Sequence, residues 1–380
     1  GITIAGGGTV TLSGNNTFAG ATLINGGTLR ISHANALGTA AGSTTVAAGA
    51  TLDLINVTIV SESLVLNGGT LKDATSGWGG SIAITGANTI DIASGDTLTI
   101  SGVISGVGSI TKIGAGEVIL TNANTYSGST TVNVGKFSLS AGGSIADSEK
   151  LIANSTVDIS GVTTGASVKS LAGSGSVVLG GKVLTITAAT DTFSGVISGN
   201  GAVVLSSGTQ TLSGNNDYSG TTTINGGTLN VTGTLADATA VTVNGGATYI
   251  VNTADTIASL AGAGNTTLNA NLTFGNANST TISGIISGTG SLTKEGSGTV
   301  TLAGNNTYSG ATAINAGTII ITHNNSLGST AGNTTIASGA TLDLQNTSAV
   351  AEALSIAGGT LATTTGTSLI SGNIALTADS

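Results

Sequence analysis

Residues 12–29 read LSGNNTFAGATLINGGTL, and the pattern returns as LTNANTYSGSTTVNVGKF at 120–137, LSGNNDYSGTTTINGGTL at 212–229 and LAGNNTYSGATAINAGTI at 302–319. An aromatic side chain holds one place in every copy, at Phe18, Tyr126, Tyr218 and Tyr308. A second unit precedes three of the copies, running up to Leu120, Leu212 and Leu302; the last of these reads ISGIISGTGSLTKEGSGTVTL. A longer period lies above both. Residues 1–90 and 291–380 align without a gap at an offset of 290, which matches His33 with His323, Asp53 with Asp343 and Glu62 with Glu352. Self-similarity of this kind marks a repeat architecture.

A finer period runs beneath. Short elements such as TVTL, TLRI, TLDL and TLTI alternate Thr with Val, Leu or Ile, and within each cluster they recur about every 19 to 23 residues. Alternation with a period of two gives a strand one apolar face. A strand of three to five residues cannot bury that face alone, but the same strand stacked from successive coils closes a shared core. The chain therefore reads as all-β, a single-stranded right-handed parallel β-helix (a β-solenoid) of about 18 coils. It is expected to run as one continuous body over 1–380, with repeat blocks near 1–32, 101–139, 193–232 and 282–322. Both ends cut across repeats, which suggests a window on a longer array.

Composition fits that geometry. There are 62 glycines, no proline, no cysteine and one tryptophan, and 7% of residues are charged, against about 25% in ordinary domains. Mean hydropathy is +0.40, too apolar for a disordered chain. Coils stacked every few ångströms favour compact inward side chains, which makes Trp a poor fit. Corners need positive φ, which NGG at 25–27 and 225–227 and SGNN at 13–16 and 213–216 are placed to supply. Asparagines at equivalent corners are placed to stack as amide ladders. A sandwich or propeller would use more than nine aromatics and, for blades, a steadier interval than the 108, 92 and 90 residues between the aromatic positions.

The same composition excludes several functions. Net charge is −9 with eight Lys and Arg, so no basic patch awaits nucleic acid, and an anionic membrane surface is equally poorly served. No apolar run reaches 18 residues, and the first residues lack the features of a signal peptide. The absence of cysteine suits a chain exported unfolded.

The block GSLTKEGSGTVTLAGNNTYSGATAINAGTI at 290–319 closely resembles the passenger-associated repeat of bacterial autotransporters, the type V secreted surface proteins. HANALGTAAGSTTVAAGATLDL at 33–54 looks like the stretch that usually follows it. The resemblance implies a passenger domain at the cell surface of a Gram-negative bacterium, carried across the outer membrane by a translocator β-barrel elsewhere in the protein. It also implies an adhesin or rigid stalk, with a host-surface protein or glycan as possible partner. The alternative is a self-associating structural filament or aggregation protein.

Candidate chemistry is thin. His33 and His323 sit at one equivalent repeat position and read as exposed corners copied by duplication. Asp91 and Asp96 are close in sequence, while Asp53 and Glu62 recur as Asp343 and Glu352; a duplicated pair of this kind reads as a solvated face. No catalytic, cofactor-binding or metal residues are assigned, no cofactor is expected, and the chain is not expected to be an enzyme. Tyr126, Tyr218 and Tyr308 are the one candidate set for surface binding, as a carbohydrate-binding stripe; the competing reading packs each over the corner of its own coil.

Overall fold

A computed structural model describes residues 1–377, and every regular element in them is a β-strand. All ladders between named strands are parallel, and the strands stack as a β-solenoid. The alternation read from the sequence explains why. Thr299–Leu302 (TVTL) buries Val300 and Leu302 and turns its threonines outward, and Thr228–Val231 and Thr97–Ile100 repeat the pattern.

The chain falls into two compact units. The first comprises Gly1–Thr187 with Ser194–Ser198, and the second Ala188–Phe193 with the residues from Gly199 onward. In the first unit, one face is a six-stranded sheet from Ile2–Ile4 to Ile104–Gly106. A second face holds nine strands, from Thr9–Leu12 to Leu171–Ala172, and a third holds eight, from Thr58–Ile59 to Val196–Ser198. The second unit is built alike. Nine of its strands run from Ala202–Leu205 to Thr360–Ala362, six from Thr192–Phe193 to Ile286–Gly288, and seven from Asp255–Ile257 to Ile374–Leu376.

Register makes the core continuous within a unit. Leu29 stacks on Leu52, Leu52 on Leu71 and Leu71 on Ile90. Each such inward side chain is essentially without solvent exposure and contributes about 1.5–3 kcal/mol of transfer free energy. The coil step varies. Thr9 pairs with Thr28, a step of 19, and Thr28 with Thr51, a step of 23. The longer coil accommodates the turn at 33–37, and the second unit repeats it between Thr318 and Thr341.

Several corner expectations hold in detail. Gly27 and Gly227 take φ of 68° and 74° at the NGG corners. Amide ladders form: Asn35 Nδ2 donates to Asn15 Oδ1 at 2.9 Å, Asn244 to Asn225 at 2.7 Å and Asn252 to Asn230 at 2.6 Å. Two expectations fail. The SGNN corners do not use positive φ; there the side chains of Asn16 and Asn216 donate to the Ala36 and Thr234 carbonyls of the next coil. Trp78 is wholly buried, because its register neighbours are the slimmer Ile59 and Ile100 and glycines flank it in sequence.

Candidate functional site

The aromatic repeat position turns inward. Tyr126, Tyr218 and Tyr308 show no solvent exposure, and their hydroxyls lie 2.6, 2.5 and 2.6 Å from Oγ1 of Thr130, Thr222 and Thr312. Burial pushes all three phenols up from their ordinary range, with the threonine bond partly opposing it. The exposed carbohydrate-binding stripe is therefore corrected: these rings are core. The reason is the one weighed against it, since a ring that can bury its area and still pair its hydroxyl gains from both. Phe18 lacks the hydroxyl, and Thr22 Oγ1, buried in the equivalent place, has no partner.

The second asparagine of the N-N or N-A-N corner goes inside in three of the blocks, at Asn124, Asn216 and Asn306, while Asn16 of the first block is half-buried. Asn306 Oδ1 accepts the Ile286 N–H at 2.8 Å, and its Nδ2 donates to the Ser326 carbonyl at 2.6 Å. Asn124 does the same with Ile104 and Ser144, at 2.8 and 3.0 Å. Each side chain thus bridges the coil before and the coil after it. Sequence reasoning missed these residues as core because asparagine in a glycine-rich stretch reads as a turn.

Two lysines were missed as well. Lys112 stacks between Ile90 and Val132 in an apolar column and is fully buried. Its Nζ donates to the carbonyls of Ile113 and Gly114 at 2.7 Å and of Val134 at 3.2 Å. Lys294 copies it, donating to Glu295, Gly296 and Ala316 at 2.6, 2.7 and 3.2 Å. Burial lowers the Lys112 ammonium to about 8, with Asp91 opposing the shift. The lysine of the K-x-G-x-G motif is a corner tie. The other two blocks have Ile4 and Leu205 here.

The histidines are half-buried turn residues rather than exposed corners. His33 Nδ1 accepts the Asn35 N–H at 3.1 Å and its carbonyl accepts the Ala36 N–H at 2.9 Å; His323 Nδ1 accepts from Asn325 at 3.1 Å. The duplicated carboxylates are corrected too. Asp53, Glu62, Asp343 and Glu352 are all buried, not a solvated face. Arg30 Nε reaches Asp53 at 2.9 Å, and Asp343 takes Gln345 and Thr364 as donors. Thr44 Oγ1 donates to Glu62 at 2.9 Å. Burial raises Glu62, and it raises Glu352 to about 7, where one carboxylate oxygen lacks any partner.

A groove of about 290 Å³ lies on the outside of the first unit, beside the longer coil. Asn15, Thr17, Asn35, Thr39 and Ser61 line it with amides and hydroxyls, the exposed Val60 gives it a small apolar surface, and Leu37, Ile59 and Glu62 lie buried beneath. Amides and hydroxyls beside a small apolar surface can hydrogen-bond a polyhydroxylated ligand while covering its carbon face. Among the described residues no group of three or more His, Asp or Glu stands where it can hold a metal ion.

Four segments match the family model of the passenger-associated-transport-repeat: 2–31, 110–139, 203–231 and 292–321. Each holds one of the aromatic-threonine positions and the strands on either side of it. The chain is built on the repeats of autotransporter passengers. The passenger solenoid is also similar to the protein named Adhesin BmaC autotransporter of Brucella suis biovar 1 (strain 1330), at 33% identity over 136 residues. That match covers 34% of this chain and 4% of the relative, so the solenoid spans a small part of the relative's length. No solved structure matches. The repeats and the relative together imply export to the cell surface.

Proposed function

We propose that the passenger solenoid is a non-catalytic adhesive stalk, carried across the outer membrane, that attaches the cell to a host or neighbouring surface. A translocator β-barrel elsewhere in the full-length protein completes this reading. The groove beside Asn15, Asn35 and Thr39 carries it, because its amides, hydroxyls and the exposed Val60 suit a surface glycan. The adhesin name of the relative supports the same direction. The buried carboxylates do not argue for hydrolysis: Asp53 is paired with Arg30, Asp343 with Gln345 and Thr364, and Glu62 with Thr44.

The test is binding of the purified chain to arrayed glycans and immobilised matrix proteins. Asn35→Ala and Val60→Asp should weaken glycan binding while leaving the melting profile near that of the parent, since both side chains are exposed. Binding unaffected by either change would remove the groove from the proposal. Inertness toward every surface would leave a spacer.

A further inference from the structure

The nine-stranded sheet of the first unit carries an ordered row of charges on its outward face. Arg30, Asp53, Lys72 and Asp91 are register partners in successive coils, so their signs run plus, minus, plus, minus along the stack at about 4.8 Å per coil. A column of threonines, Thr28, Thr51, Thr70 and Thr89, runs beside them and lines the same shallow trough. Arg30 and Lys72 are exposed, Asp91 is half-buried, and Asp53 lies beneath its neighbours. Only Arg30–Asp53 closes as an ion pair; Lys72 forms none among the described residues.

The fold does not require these cations. In the segment offset by 290 residues, Ile320 and Ala362 occupy the places of Arg30 and Lys72, in the same register with Asp343. There Asp343 takes its donors from Gln345 and Thr364, which stand where the first unit has Ile55 and Ala74, and the strand ladder keeps the same register. Lys72, without an ion pair among the described residues, and the exposed Arg30, which holds Asp53 through Nε alone, face outward where the duplicate coil has apolar side chains.

We propose that this face takes a second copy of the chain in antiparallel orientation. A two-fold axis lying in the sheet face, across the strand stack and midway between Asp53 and Lys72, reverses the row but keeps each column opposite itself. Arg30 then meets Asp91 of the second copy, Lys72 leans over Asp53 of the second copy, and the threonine columns face one another. Every cation meets an anion. Parallel in-register pairing would set Arg30 on Arg30 and Lys72 on Lys72, a repulsive arrangement. An interface with this self-complementarity is isologous and closed. It buries a narrow strip, so a single contact is weak and salt-sensitive. The inference uses a face apart from the groove and stands whether or not the chain is an adhesin.

Sedimentation of the purified chain tests it, at ~0.01 M salt and again at ~1 M, where the screening length falls to about 3 Å. Dimer is expected at low salt and monomer at high salt. Asp91→Arg and Arg30→Asp each turn two symmetry-related attractions into repulsions and should weaken association about tenfold or more. The double variant R30D/D91R restores opposite charges across the axis and should recover dimer. Asp91→Arg leaves the Arg30–Asp53 pair intact, so it reads the interface without touching that coil's own ion pair. Monomer at all salt concentrations, association indifferent to Asp91→Arg, or a double variant no better than the singles at matched melting profile would each overturn the proposal.

Discussion

The hydroxyl of Tyr308 lies 2.6 Å from Oγ1 of Thr312, with both groups sealed inside the solenoid. The two residues are four apart, on either side of the Ser-Gly corner, and the pair recurs as Tyr126–Thr130 and Tyr218–Thr222. Tyr308→Phe leaves a buried threonine hydroxyl unpaired and should cost about 1–2 kcal/mol in chemical denaturation. The opposite change, Phe18→Tyr, supplies Thr22 with the partner it lacks and should stabilise the chain. A gain is expected to be smaller than the loss at Tyr308, because Phe18 is only half-buried.

Asn306 bridges three coils through Ile286 N–H and the Ser326 carbonyl. Asn306→Ala orphans one buried donor and one buried acceptor, and about 2–4 kcal/mol should be lost. Hydrogen exchange should show the loosening first at the Ile286 amide. Asn306→Asp restores the acceptor but not the donor, so at neutral pH it should recover only part.

The buried carboxylates predict a pH dependence whose sign is unusual. Burial raises Glu352 to about 7 and Asp73 and Asp255 to about 6, against ordinary values of 4.5 and 3.8. The folded chain therefore holds protons that the unfolded chain has released. Stability from these groups is complete below the ordinary values and is lost as pH rises through about 6 to 7. The melting temperature should fall between pH ~5 and ~8. Glu352→Gln removes one of these three shifts and should flatten the fall, with a gain on the order of 1–2 kcal/mol at the alkaline end.

Val300→Asp sets a carboxylate against the inward column formed with Ile319 and Leu342. No donor waits there, and a loss above about 3 kcal/mol should appear as a large drop in melting temperature. Thr301→Asp, one residue along and facing outward, serves as the control and should be nearly neutral. Equal effects at the two positions would mean that the strand face is assigned the wrong way round.

The sequence alone determined the fold, because both the alternation of threonine with Val, Ile and Leu and its recurrence about every 19 to 23 residues are local and periodic. A strand with one apolar face and no partner inside its own coil has stacking as its outlet. It also settled the amide ladders at Asn15–Asn35 and the glycine corners at Gly27 and Gly227, where one residue type meets one backbone need. What lay beyond it was the inside of the corners. Lys112, Asn306 and Glu352 are polar residues in glycine-rich stretches, and nothing in their own neighbourhood distinguishes burial from exposure. Asn306 and Glu352 find their partners 18 to 20 residues away, and Lys112 adds the Val134 carbonyl, 22 residues away, to two carbonyls of its own corner; those distant groups come near only when the coils stack. The same holds for the charge row at Arg30, Asp53, Lys72 and Asp91: the sequence holds four separate ions, and the register of four successive coils makes them one surface.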